Sequence, residues 1–287
     1  MLLFKSLRIE QWAKNLVIFF PILFAGQFDF EKAFILLIAF VSFSFIVSST
    51  YIINDIIDIE SDKTHPTKKL RPIASGKIEK KTWLMLSLSF FLTGSYALTQ
   101  LNQTAYLLSL IYVVLTITYS FYLKYIKYLD LVTITLLFLL RMYVGSVIFN
   151  TPVSKELLFF VLFMSLGLTG SKKYSILIDK NIRGTKVKNF LELNYSNVFL
   201  ESISKYSLIF GNLTYLYWVL FTKSNEMASD NILFLFFAFV FLSIFNYLYL
   251  KELKNGNTED IFTTVKKSKY LLFSILLFLL FSVIGVI

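Results

Sequence analysis

The sequence contains no cysteine and a single histidine, His65, in 287 residues. Without thiols there is no disulfide framework, no thiolate metal site and no cysteine nucleophile, and one imidazole cannot build a multi-histidine metal centre. The long alternating strands of a membrane barrel are not seen. A nucleic-acid module is not seen either, because the basic residues are spread over loops. The first residues carry Lys5, Arg8 and Lys14 but no small-residue cleavage site. They are expected to remain as a basic interfacial segment over residues 1–14, with Trp12 as a headgroup anchor.

Apolar residues are abundant. The chain is 56% hydrophobic with a mean hydropathy of +0.68, against about 45–50% apolar in soluble domains. Its apolar blocks match helices that cross about 30 Å of hydrocarbon. Cutting at charged punctuation gives segments at 15–28, 33–54, 83–99, 104–122, 129–149, 155–171, 205–222, 231–250 and 270–287. The expected fold is an all-α integral membrane protein of about nine transmembrane helices. It is read as one polytopic domain over 1–287, with a cytoplasmic catalytic loop region over 55–82. The first segment is short and holds Pro21, so a tilted or interfacial helix competes with a span there.

Lysine and arginine accumulate in loops that stay cytoplasmic. Of the 28 basic residues, all but Lys32, Lys155, Lys223 and the intramembrane Arg141 fall on one side of this segmentation. The N-terminus is therefore expected in the cytoplasm and the C-terminus outside, in an inner (cytoplasmic) membrane. Topology accounts for most of the net charge of +10. It does not account for acids.

The acids that need an explanation lie in the run NDIIDIESD that begins at Asn54. At about 100° per residue, Asn54, Asp55, Asp58 and Asp62 share one helix face within an arc of roughly 100°, with Tyr51 one turn deeper. Glu60 points elsewhere. Like charges so gathered repel, and they need a compensating cation. Carboxylate and amide oxygens suit a hard divalent ion such as Mg²⁺, which is commonly shared with substrate phosphates. The plainer reading is a helix end whose acids pair with Lys63, Lys68, Lys69 and Arg71 in solvent. Exposed pairs are weak and give no reason for the strict facing.

The run continues as HPTKKLRPIASG, in which Pro66 and Pro72 bend the chain away from the helix. Lys68 and Arg71 are thus expected to fold back over the metal site and meet phosphate oxygens. His65 reads as an ordinary loop residue. Two further loops on the same side repeat the pattern of aromatic, hydroxyl and basic groups: Tyr119, Ser120, Lys124 and Asp130, then Ser171, Lys172, Lys173 and Tyr174. Arg141 lies inside the fifth segment, where a guanidinium must face a polar cavity or a carboxylate. Asp130 is a possible partner, although eleven residues along one helix separate the two by roughly 16 Å.

Asn54, Asp55, Asp58 and Asp62 resemble the first aspartate-rich motif of the UbiA superfamily of intramembrane prenyltransferases. The string His65, Pro66, Lys68, Arg71, Pro72, Ile73, Ala74, Ser75, Gly76 is similar to the branch that contains decaprenyl-phosphate phosphoribosyltransferase. So are Gln11, Trp12, Lys14, Asn15, then Tyr119, Ser120, Leu123, Lys124, Asp130, and later Leu140, Arg141 and Gly145. The likeness covers most of residues 8–175. Two departures fall in the third cytoplasmic loop. The glutamate that the branch places three residues beyond its Lys-Arg pair is absent after Lys172 and Lys173, and Asp179 stands alone where most members carry a second aspartate-rich motif.

The resemblance implies helices around a central cavity and a Mg²⁺-dependent transfer of phosphoribose from 5-phosphoribosyl diphosphate to a polyprenyl phosphate. Asp55, Asp58 and Asp62, with Asn54, would hold the metal and the donor diphosphate. Asp58, Asp62, Lys68 and Arg71 would form the catalytic set, and Lys14, Asn15, Tyr51, Lys124, Arg141, Lys172, Lys173 and Tyr174 the substrate-binding set. Two other functions share parts of the pattern. One is transfer of an isoprenyl chain onto an aromatic acceptor. The other is a carrier that binds polyprenyl phosphate without chemistry, although a polar cluster at a helix end, away from the midplane, suits a carrier poorly.

Overall fold

The computed structural model describes residues 7–27, 29–64, 68–76, 79–180, 182, 184–223, 228–258 and 260–287, and every regular element among them is helical. Two compact units emerge. The first comprises Met1–Ile18, Phe34–Asn150 and Lys180–Asn194, and the second Phe19–Ala33, Thr151–Asp179 and Tyr195–Ile287.

The first unit opens with a 3-10 helix, Ile9–Phe19. Its long helices are α2 (Phe30–Ile57), α4 (Lys80–Leu101), α5 (Gln103–Phe121) and α6 (Leu129–Ile148). Short elements join them: α3 (Ile59–Thr64), 3-10 turns at Lys68–Leu70 and Leu123–Tyr125, and α8 (Lys186–Asn194). Asn102 caps α5 by accepting from Ala105 N at 3.0 Å, and its amide donates to Val147 O at 2.9 Å, which ties the start of α5 to the end of α6. Gly145 makes the first helix possible. A Cβ at this position would stand 1.9 Å from Ile18 O, so only a bare backbone on α6 admits the 3-10 run at that distance.

The second unit holds α1 (Phe20–Ala25), α7 (Lys155–Ile178), α9 (Asn197–Tyr217), a π-helical turn at Trp218–Lys223, α10 (Ser229–Lys254), α11 (Ile261–Lys267) and α12 (Lys269–Ile284). Helices α7 and α9 pack closely because Gly170 receives the Ser204 hydroxyl and Gly211 the Met164 thioether, where a Cβ would stand 2.7 and 2.8 Å from Oγ and Sδ. Ser154, Ser196 and Ser268 cap α7, α9 and α12 through their hydroxyl oxygens.

Among the described residues, α2, α4, α5, α6 and α10 are long and apolar enough to cross a membrane; α11 with α12, bent by 108°, would make a sixth. Faces such as Leu84, Met85, Leu88 and Leu92 on α4 are exposed, as lipid contact requires. The expected count of nine is not reached by these criteria. Segment 155–171 falls within α7, whose charges lie near its two ends, and segment 205–222 runs from α9 into the π-helical turn. Segment 15–28 is not one helix: the 3-10 run gives way at Phe20 to six α-helical residues with Pro21 in the first turn, closed by Gly26 at φ 69°.

Candidate functional site

The acid run does not continue as one helix. α2 ends at Ile57, Asp58 is a turn, and α3 begins at Ile59. Helical bonding nevertheless crosses the break, since Asp58 N donates to Asn54 O at 2.9 Å and Asp62 N to Asp58 O at 2.8 Å. Asp55 and Asp62 are buried, while Asn54, Asp58 and Tyr51 are half-buried. Glu60 does point elsewhere: it is exposed and pairs with Lys63 at 2.8 Å, a hydrogen bond that holds its carboxyl below the usual range. Among the described residues, two pairings of the plainer reading occur: the solvated Glu60–Lys63 pair, and Arg71 with the buried Asp55 and Asp62.

The buried acids meet other cations. Arg71 folds back from the proline-bent segment, with Nη1 at 2.6 Å from Asp62 Oδ2 and 3.1 Å from Asp55 Oδ1. Arg8 Nη2 bonds the same Asp55 Oδ1, and its guanidinium lies over the Tyr51 ring, 5.2 Å from the centroid. Lys124, buried in the turn between α5 and α6, donates from Nζ to Asp58 Oδ1 at 2.9 Å. His65 and the side chain of Lys68 lie outside the described residues.

Among the described residues, no three acidic side chains stand close enough to cage a metal. The four-ligand set expected from sequence is therefore not assembled, because Asp58 has turned to Lys124 while Asp55 and Asp62 share Arg71. The donors still suit a hard cation. They are oxygens only, and two of them already converge on a single positive nitrogen.

A second polar cluster surrounds Arg141. Nε donates to Asn15 Oδ1 at 2.9 Å, Nη1 to Leu137 O at 2.9 Å and Nη2 to Tyr112 OH at 2.6 Å, with the Tyr112 and Phe138 rings about the guanidinium. Asn15 in turn donates to Ser44 Oγ at 2.9 Å. The carboxylate partner considered for Arg141 is replaced by neutral acceptors; Asp130 sits buried in the first turn of α6. Lys14 is half-buried on the 3-10 helix. Lys172, Lys173 and Tyr174, exposed, buried and half-buried in turn, end α7 in the second unit, whereas the acids and Lys124 belong to the first.

Arg8 is the site residue that sequence reasoning missed. Its charge is explained by topology, and nothing in its spacing marks it. Only the backbone singles it out, a non-glycine residue at φ 48°.

Comparison with known proteins bears on this geometry. A family profile described as the UbiA prenyltransferase family matches residues 15–173. Decaprenyl-phosphate phosphoribosyltransferase of Mycolicibacterium smegmatis is 32% identical over 235 residues, covering 79% of this chain and 72% of that protein. An uncharacterized protein of Sinorhizobium fredii is 38% identical over 171 residues, 59% of this chain; the chain spans only 33% of that protein's length. The structure of a UbiA homolog from Archaeoglobus fulgidus bound to GPP and Mg²⁺ superposes with a TM-score of 0.63 at 14% identity, covering 99% of this chain and 98% of the homolog.

Proposed function

The chain belongs to the UbiA prenyltransferase family, as a multi-pass membrane transferase near the decaprenyl-phosphate phosphoribosyltransferase branch, and within that family we propose that it transfers 5-phosphoribosyl from 5-phosphoribosyl diphosphate to a polyprenyl phosphate, releasing diphosphate. The observation that carries this reading is the sustained similarity to decaprenyl-phosphate phosphoribosyltransferases, 32% identity over 79% of the chain in one case.

The residues support it. Asp55, Asp62 and Asp58, with Asn54 beside them, would hold Mg²⁺, which when bound neutralises the leaving diphosphate. That a UbiA homolog of the same fold was solved with Mg²⁺ supports this assignment. Arg71, already turned onto the acids, presents a planar fork to phosphate oxygens, and Lys124 presents a point charge. Lys68, Lys172 and Lys173 are the further basic residues that the resemblance assigns to a highly phosphorylated donor. As the bond from C1 to diphosphate lengthens, positive charge grows on the ribose and the lipid phosphate attacks it. That phosphate is ionised at neutral pH, so no general base is required, in keeping with a chain that has one histidine. Positioning and charge stabilisation supply the rate. The active face is cytoplasmic in this reading, where a soluble donor is available, and the apolar helices shelter the isoprenoid.

The test is direct. Purified protein with Mg²⁺, labelled 5-phosphoribosyl diphosphate and a polyprenyl phosphate yields a labelled lipid. No labelled lipid, together with consumption of an isoprenyl diphosphate and an aromatic acid, would replace this reading with aromatic prenyl transfer.

A further inference from the structure

We infer that Arg8 is a latch on Asp55 that makes binding of a divalent metal and of a diphosphate at the acid cluster mutually dependent. This rests on the metal and diphosphate part of the proposed function, and not on the identity of the group transferred.

The ion-paired groups cancel. Asp55, Asp58 and Asp62 are matched by Arg8, Arg71 and Lys124, a formally neutral set with most of its atoms withdrawn from water. A divalent ion arriving alone leaves that set with an excess of two positive charges in a poorly hydrated place, where charge is hard to accommodate. It must also draw on Asp55, whose Oδ1 already holds both Arg8 Nη2 and Arg71 Nη1; bound through that oxygen, it displaces one of them. One carboxylate oxygen cannot serve a metal and two guanidinium groups at once.

The two arginines are not equivalent when the metal enters. Arg71 keeps Asp62. Arg8 has Asp55 as its hydrogen-bonding partner, and beyond it the face of the Tyr51 ring. Arg8 is therefore the group left without an acceptor.

Its backbone is held beside the cluster. Its neighbourhood is pinned to α2: Trp12 Nε1 donates to Ser48 Oγ at 3.0 Å, and Ser48 Oγ donates to Leu7 O at 2.7 Å. Gln11 N also donates to Arg8 O at 2.7 Å. These contacts hold Arg8 at φ 48°, a conformation that an L residue adopts only when its surroundings enforce it. A diphosphate resolves both problems. Its charge offsets the metal, and its oxygens accept the freed guanidinium in paired hydrogen bonds.

Mn²⁺ binding to the detergent-solubilised full chain, read by electron paramagnetic resonance, tests this without substrate turnover. Pyrophosphate is the second probe, with correction for the complex the two form in solution. In the wild-type protein pyrophosphate is expected to tighten Mn²⁺ by about tenfold or more, and Mn²⁺ to tighten pyrophosphate by the same factor. Arg8→Gln is expected to tighten Mn²⁺ alone and to shrink the coupling. Equal wild-type affinity for Mn²⁺ with and without pyrophosphate overturns the inference, as does full coupling in Arg8→Gln. If that variant does not fold, the wild-type titration decides alone. Because neither phosphoribose nor lipid enters the measurement, its outcome is independent of whether phosphoribosyl transfer is detected.

Discussion

Asp55 and Asp62, seven residues apart and separated by a break in the helix, meet at one nitrogen: Arg71 Nη1 lies 3.1 Å from the first and 2.6 Å from the second. A side chain just after the 3-10 turn Lys68–Leu70 thus brings two carboxylates to a common point. Arg71→Met is expected to reduce phosphoribosyl transfer by about 10²–10³-fold, the usual loss for one preorganised donor. Arg71→Lys is expected to recover little, because a compact ammonium lacks the fork. The labelled-lipid assay measures both, and near-normal transfer by Arg71→Met would exclude the assignment.

Asp58→Ala is expected to abolish transfer while expression and membrane insertion remain normal. Its partner gives a control. Lys124→Met removes the cation that holds Asp58 at 2.9 Å and is expected to lower transfer as well; unchanged transfer would show that the pair does not act as one unit.

How much of this was legible beforehand differs residue by residue. The shared face of Asp55 and Asp62 follows from helical period, and the return of Arg71 from Pro72, so both were readable locally. The partition of the acids was not: whether Asp58 turns to a metal or to Lys124 depends on a contact 66 residues away in sequence. Arg8 was hidden for another reason. A cation near a membrane face already has an explanation in topology, and its pairing with Asp55 spans 47 residues. The first apolar segment stayed open between a span and an interfacial helix, because apolar length alone does not reveal a 3-10 run that rests on Gly145.

Asn15→Ala leaves the buried Arg141 Nε without its acceptor. A lost hydrogen bond to a buried charge is expected to lower stability by about 1–3 kcal/mol. The thermal midpoint in detergent reports it. No shift would mean that Leu137 O and Tyr112 OH suffice for this guanidinium.

Gly145→Ala places a methyl where Ile18 O already stands. Backbone cannot yield as a side-chain tip can, so roughly 3 kcal/mol of destabilisation is expected, together with weaker metal–diphosphate coupling as Arg8 is pulled from Asp55. Wild-type melting and coupling in this variant would show that the 3-10 run is held by other contacts.

The absence of cysteine makes orientation simple to measure. In single-cysteine variants, Ser75→Cys is expected to react with an impermeant maleimide only from the cytoplasmic side, and Pro152→Cys only from the opposite side. The reverse pattern would invert the proposed topology.

The contact between Gly145 and Ile18 also has a consequence for biogenesis. The 3-10 run is made first, yet the surface that receives it belongs to a helix synthesised more than a hundred residues later. The Ile18 end of the run can therefore take its place against Gly145 only after α6 has been made, whereas its Trp12 end finds its partner, Ser48, already on α2.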